Sequence, residues 1–73
     1  MSRIAAIGER ERVRGFAFAG VHVAAADDAQ GARTAWRAVP ANVALVILTP
    51  AARSALQAEL DASEQLLCAV MPP

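Results

Sequence analysis

Acid–base and nucleophilic chemistry needs groups that titrate or attack, and this chain holds few of them. It has one histidine, His22, one cysteine, Cys68, and no lysine; its seven cations are all arginine, matched by seven carboxylates. A catalytic dyad or triad sets a nucleophile beside a base that a third group orients. Ser54 and Ser63 have no His or Asp at a recognisable spacing. His22 lies inside a short apolar stretch, and Cys68 in the middle of another, where a thiol packs rather than reacts. One Cys and one His are too few for a metal site built on cysteine. Glu59, Asp61 and Glu64 crowd the end of a helical stretch, which reads as a solvated surface. Trp36 reads as a core anchor on an alanine-rich face rather than as a platform for a ligand.

Two acidic pairs have better placed surroundings. Glu9 and Glu11 follow the first apolar run, and Asp27–Asp28 follow the second. In a parallel α/β sheet a ligand sits beyond the carboxyl ends of the strands. The residues there are Gly8 to Glu11, Asp27 and Asp28, Thr49 and Pro50, and Pro72 and Pro73. Dinucleotide binding needs a glycine-rich turn after the first strand, and a P-loop needs a lysine. Only Gly8 is present, and Glu9 and Glu11 put negative charge where phosphate would sit. A phospho-accepting receiver needs an Asp at the end of the third strand and a lysine further on; Thr49 stands at the first place, and the lysine does not exist. No cofactor is expected, and what remains is an interaction module.

The elements that position these residues alternate along the chain. Residues 3–7 form a short apolar run ended by Gly8, which reads as a buried strand. An amphipathic helix is expected over 9–19, with Val13, Phe16 and Ala17 at helical spacing and Gly20 as the left-handed residue that closes it. A second, alanine-rich strand is expected over 21–26. Asp27 or Asp28 caps the next helix; with Asp27 as cap, Gln30 stands three residues on and completes a capping box. Its inward face is Ala29, Ala32, Ala35, Trp36 and Val39, with a local cost at Gly31, and Pro40 stops it. Residues 42–48 do not alternate and are expected to be covered on both faces. Thr49–Pro50 starts a third helix, Thr49 as cap and Pro50 at its first position, lined by Ala52, Leu56 and Leu60. A fourth strand is expected over 66–71.

Strand–helix alternation implies parallel pairing through right-handed crossovers. The expected fold is α/β, one domain over residues 1–73: a four-stranded parallel sheet in order 2-1-3-4 with helices on both faces, flavodoxin-like (βαβαβαβ). The weak second strand suits an edge; the wholly apolar fourth does not, and an apolar edge invites pairing. Leu66, Leu67, Val70 and Met71 are therefore the first candidates for a partner interface, and homodimerisation through this strand is one way to cover it. The row Arg10, Arg12 and Arg14 is the rival, by pairing with an acidic partner. Gly8, Gly15, Gly20, Asp27, Thr49 and Pro50 are the expected turns and caps.

Composition limits the alternatives. Of the 41 apolar residues among 73, 19 are Ala, while Leu, Ile, Val and Phe number 18, about 25% of the chain. That exceeds the level of disordered chains but gives a thin core. Zero net charge argues against nucleic acid as a partner, because phosphate binding needs an excess of cations. The longest apolar run, residues 43–48, is far short of a membrane span. The first residues lack the apolar stretch and cleavage site of a signal peptide, so a cytoplasmic setting is expected.

Particular residues narrow the reading further. The opening Ile4-Ala5-Ala6-Ile7-Gly8-Glu9-Arg10-Glu11, then Val13-Arg14-Gly15-Phe16-Ala17-Phe18-Ala19-Gly20-Val21, resembles the start of the F subunit of V-type (archaeal/vacuolar-type) ATPases. That family opens with a short strand, a Gly-Asp turn and a Gly-Phe-x-Leu-Ala-Gly-Val segment. Asp27-Asp28-Ala29-Gln30-Gly31-Ala32 is similar to its acidic helix start, and Val43-Ala44-Leu45-Val46-Ile47-Leu48-Thr49 to its strand leading into a threonine-capped helix. The likeness covers nearly the whole chain and is most specific from Gly15-Phe16 to Gly20-Val21. Glu9 and Glu11 stand where Asp is common, Phe18 where Leu is common, and Ala17 where a polar residue is usual.

The resemblance implies a non-catalytic member of the rotary central stalk. It would bind the coiled-coil D subunit of the rotor, work beside other components of a V/A-type ATPase, and lie peripheral to the membrane without inserting into it. It would help couple ATP hydrolysis or synthesis to proton or sodium transport. The family continues into a helical tail linked to docking and regulation, so residues 1–73 are expected to be the N-terminal domain without that tail. The alternative is a degenerate receiver-like module that binds a partner without phosphotransfer.

Overall fold

A computed structural model describes residues 3–62 and 67–72. Four strands, β1 (Arg3–Gly8), β2 (His22–Ala25), β3 (Val43–Leu48) and β4 (Leu67–Val70), form one sheet. All pairings are parallel and the spatial order is β2-β1-β3-β4. Helices α1 (Arg10–Val13), α2 (Ala29–Arg37), α3 (Pro50–Ala55) and α4 (Gln57–Ala62) connect them, with a 3₁₀ segment, Arg14–Ala19, after α1. The sheet order, the parallel sense and the α/β class are those the sequence predicts. Alanine-rich β2 lies at one edge and β4 at the other.

That order decides which face each helix covers. The chain steps from β1 to β2 in one direction, then from β2 to β3 and β3 to β4 in the other. Right-handed crossovers therefore put α1 on one face and α2, α3 and α4 on the opposite one. The main core lies under the second group: Ala5, Ile7, Val46 and Leu48 from the strands meet Ala32, Ala52 and Leu56 from the helices, with Ala35, Trp36, Val39 and Leu60 packed at the margin. Val13 is fully buried where α1 packs against β1 and β2.

Here the structure corrects one expectation: β3 is covered on one face only. Val46 and Leu48 are buried, while Leu45 and Ile47 on the other face are partly exposed and Ala44 is exposed. Among the described residues, the helix on that face is α1, and it packs mainly on β1 and β2. A register shift beside Arg3 and Ile4 skips Ala44 and lets Val43 join the core.

The expected helix over 9–19 is also different. Only four residues are α-helical before the chain tightens into the 3₁₀ segment. Val13 is its single buried anchor, Phe16 is half-buried and Phe18 is 94% exposed, so no apolar stripe rewards a longer helix. Gly15 weakens helical propensity at the break; it is no left-handed turn. Gly20 does close the segment, with φ 77°, where L side chains are disfavoured. A Cβ at Gly15 meets nothing within 4 Å. Gly15→Ala is therefore expected to stabilise the chain by about 0.4–1 kcal/mol through the unfolded state, measured as a rise in the urea midpoint at constant m; a fall would show that Gly15 has a hidden constraint.

The third helix bends at Leu56, where α3 ends and α4 begins, although hydrogen bonds from Leu56 to Ala52 and from Leu60 to Leu56 carry across the step.

Candidate functional site

The carboxyl edge of the sheet, where this architecture usually takes its ligand, is built around Thr49. This residue follows β3 and precedes α3, so its hydroxyl caps the helix by accepting the Ala52 N–H at 3.3 Å. The same hydroxyl donates to Glu9 Oε1 at 2.6 Å, across 40 residues of sequence, and joins the turns after β1 and β3. Thr49 is fully buried. Gly8 lies directly against it: a Cβ built there would fall on the Thr49 side chain, with Oγ1 at 2.6 Å. Gly8, Glu9 and Thr49 thus close the gap between the two central strands.

The bond leaves a mark on titration. The Glu9 carboxyl is held below its ordinary value of 4.5 chiefly by the Thr49 hydroxyl, with help from a backbone N–H and the nearby Arg12 charge, against slight desolvation. A folded pKa below the unfolded one means that the contribution to stability is complete above pH 4.5 and is lost as pH falls through the lowered value. Glu9→Gln is expected to abolish that part of the acid limb: wild type and variant should differ in urea midpoint above pH 4.5 and converge in stronger acid. Parallel curves would show that the Glu9–Thr49 bond carries no linkage. Since Glu9 is mostly solvated, the difference should be modest, under about 1 kcal/mol.

At the next turn the cap is Asp28, not Asp27. The Asp28 carboxylate accepts the Gly31 N–H at 2.6 Å, so the box between Asp27 and Gln30 does not form. Asp27 turns away and accepts the Arg10 N–H at 3.2 Å, tying α1 to the end of β2. Gly31 is more than a helix weakness here: a Cβ would meet Asp28 Oδ1 at 2.9 Å, so its absence lets the cap close.

Between α2 and α3 these residues border a cleft of about 440 Å³, lined by alanine methyls with Glu9, Asp27, Asp28 and Ser54. The carboxylates make it repellent to phosphate, and the methyls offer no directed donors. Among the described residues, no group of three His, Cys, Asp or Glu is placed to hold a metal ion.

The interface candidates lie elsewhere. Leu66 falls outside the described residues. Leu67 is 72% and Val70 45% exposed, on opposite faces of β4, and Met71 is half-buried where its N–H donates to Leu48 O at 2.8 Å. Arg10, Arg12 and Arg14 are all exposed. Arg14 pairs with Glu11 at 3.6 Å. Arg12 does something that spacing does not reveal: its Nη2 donates to Pro72 O at 2.6 Å, across 60 residues of sequence. Cys68 is exposed rather than packed, because the edge strand has a neighbour on one side only; partial burial still pushes its thiol pKa up. Beside it, under α3 and α4, a cleft of about 250 Å³ is lined by Leu48, Leu60 and Val70 with Arg53, Gln57 and Asp61. His22 is half-buried at the start of β2.

Residues 4–72 match the ATP synthase (F/14-kDa) subunit family. The chain belongs to that family. A search of curated proteins found no match. Membership of the F-subunit family, which serves V-type ATP synthases, agrees with the resemblance carried by the Gly15-Phe16 to Gly20-Val21 segment, and the parallel sheet agrees with the flavodoxin-like fold expected of it. Among the described residues no helix is long and apolar enough to cross a membrane. In this F/14-kDa family member the resemblance falls on turns as much as on core: Gly20 and Thr49 are the residues that end the 3₁₀ segment and start α3.

Proposed function

We propose that this chain is a non-catalytic component of the rotary central stalk of a V/A-type ATPase. It binds the D subunit of the rotor, lies peripheral to the membrane with the rest of the complex, and helps couple ATP hydrolysis or synthesis to ion transport. The observation that carries this reading is the family match over residues 4–72. The carboxyl edge agrees with it, since Gly8 and Thr49 fill the gap between β1 and β3 and the cleft beside them is rimmed by carboxylates rather than by phosphate-binding groups. A component that transmits torque needs a stiff body with a surface to clamp. The receiver-like alternative gains nothing at position 49, where a buried hydroxyl already engaged with Glu9 and Ala52 takes the place of an exposed carboxylate.

The test is affinity capture with the tagged chain from solubilised membranes of the native host, read by mass spectrometry. Recovery of the rotor's D subunit with the ATP-binding head subunits is the expected result. Capture without either would overturn the stalk assignment, and phosphotransfer from a small phosphodonor would favour the receiver.

A further inference from the structure

Among the described residues, the sheet has an open half-face. Ile4 (40% exposed), Leu45, Ile47, Leu67 (72% exposed) and Ala69 share one face of β1, β3 and β4 by register. This is the face of α1, but α1 lies over β1 and β2. What stays bare spans two strands about 4.8 Å apart, a strip roughly as wide as one α-helix. The opposite face of the same sheet is layered with helices, so the vacant strip is the place of one further helix beside α1.

Charge indicates the kind of helix. Arg12 extends from α1 past the end of β3 to hold Pro72 O, which sets a guanidinium at the carboxyl-end rim of the strip, with Arg10 and Arg14 exposed on the neighbouring turns. Pairing of the two β4 edges would engage only four residues from each chain, too little for the area of roughly 1,000 Å² that stable interfaces need. A partner helix with an apolar stripe and Asp or Glu at the end over Arg12 fits both features.

We propose that the open face of β3 and β4 receives one amphipathic helix of a partner protein, seated on Ile4, Leu45, Ile47 and Leu67 and held in register by acidic residues against Arg12. The inference rests on the stalk reading, and the partner is a helix of the rotor shaft.

The test uses the chain with the rotor's purified D subunit as the probe, in surface-immobilised binding, with three variants: Leu67→Asp, Arg12→Glu, and Thr34→Glu as a control on exposed α2. Circular dichroism verifies that each is folded. Leu67→Asp is expected to weaken binding by about tenfold or more. Arg12→Glu is expected to slow association at low salt, an effect that fades as salt rises. Thr34→Glu is expected to bind like wild type. If the probe binds wild type and Leu67→Asp equally, the face assignment is overturned while the stalk reading stands. If Arg12→Glu leaves association unchanged at low salt, the acidic flank is overturned. If wild type fails to bind the probe, the stalk reading falls and this inference with it. If light scattering shows a dimer that Leu67→Asp dissociates, a second copy is the occupant and the partner helix is overturned.

Discussion

Gly8→Ala is expected to destabilise the chain by about 3 kcal/mol, the upper part of the usual range for overpacking. The added Cβ has nowhere to go. Its neighbour is the Thr49 side chain, which is fully buried and fixed by two hydrogen bonds, to Glu9 and from Ala52. Relief requires either a new Thr49 rotamer, which uncaps α3 at a cost of about 1 kcal/mol, or separation of the two central strands. For a chain of this length total stability is only about 4–11 kcal/mol, so a loss of roughly 3 kcal/mol should be plain in a urea melt. The double variant Gly8→Ala with Thr49→Ser distinguishes the causes. Removing the Thr methyl relieves the tightest contact, with Cγ2, while the cap and the bond to Glu9 remain; Oγ1 at 2.6 Å and Cβ at 2.9 Å stay in place, so only part of the loss should return. No rescue would mean that the contacts with Oγ1 and Cβ, which serine keeps, dominate the clash.

Leu56→Ala is expected to have the other large effect, about 2–5 kcal/mol. Leu56 is 0% exposed and lies in the core beneath the step between α3 and α4. In a core where nearly half of the residues are alanines, few long side chains remain to collapse into the space left behind, and this favours the upper half of that range. Thermal or urea unfolding of the variant gives the number. A loss under about 1 kcal/mol would mean that the two short helices close over the gap. The same truncation at Leu60, which is only half-buried at the core margin, should cost clearly less.

These two positions also show what can be read from sequence and what cannot. The strands and their order follow from runs such as 43–48 and from alternation with helices, because parallel pairing and right-handed crossover leave few arrangements. Thr49–Pro50 announces a helix start by local chemistry, and the structure contains it. Asp27–Asp28 is ambiguous in sequence because both residues can cap; the backbone of Asp28 (φ −143°, ψ 172°) and the missing Cβ of Gly31 decide it. A helix over 9–19 is suggested by spacing that registers Phe16 and Phe18 as apolar whether or not a surface exists for them to cover. The Gly8–Thr49 contact and the Arg12–Pro72 bond join residues 41 and 60 positions apart, and no local pattern encodes such meetings. The open half-face, by contrast, is implicit in the order 2-1-3-4: one step in one direction and two in the other leave one face a helix short.

The parallel sheet also fixes how this body bears load. The polypeptide enters β1 at the amino edge and leaves β4 at the carboxyl edge, with β3 between and hydrogen-bonded to both. Tension applied between those points pulls β1 and β4 in opposite senses along β3. Every ladder bond on the two seams is then strained together, as in a lap joint, whereas a hairpin pulled at its open end would release its bonds one at a time. The Arg12 bond to Pro72 lies across the last grip of that joint and resists the first slip of β4.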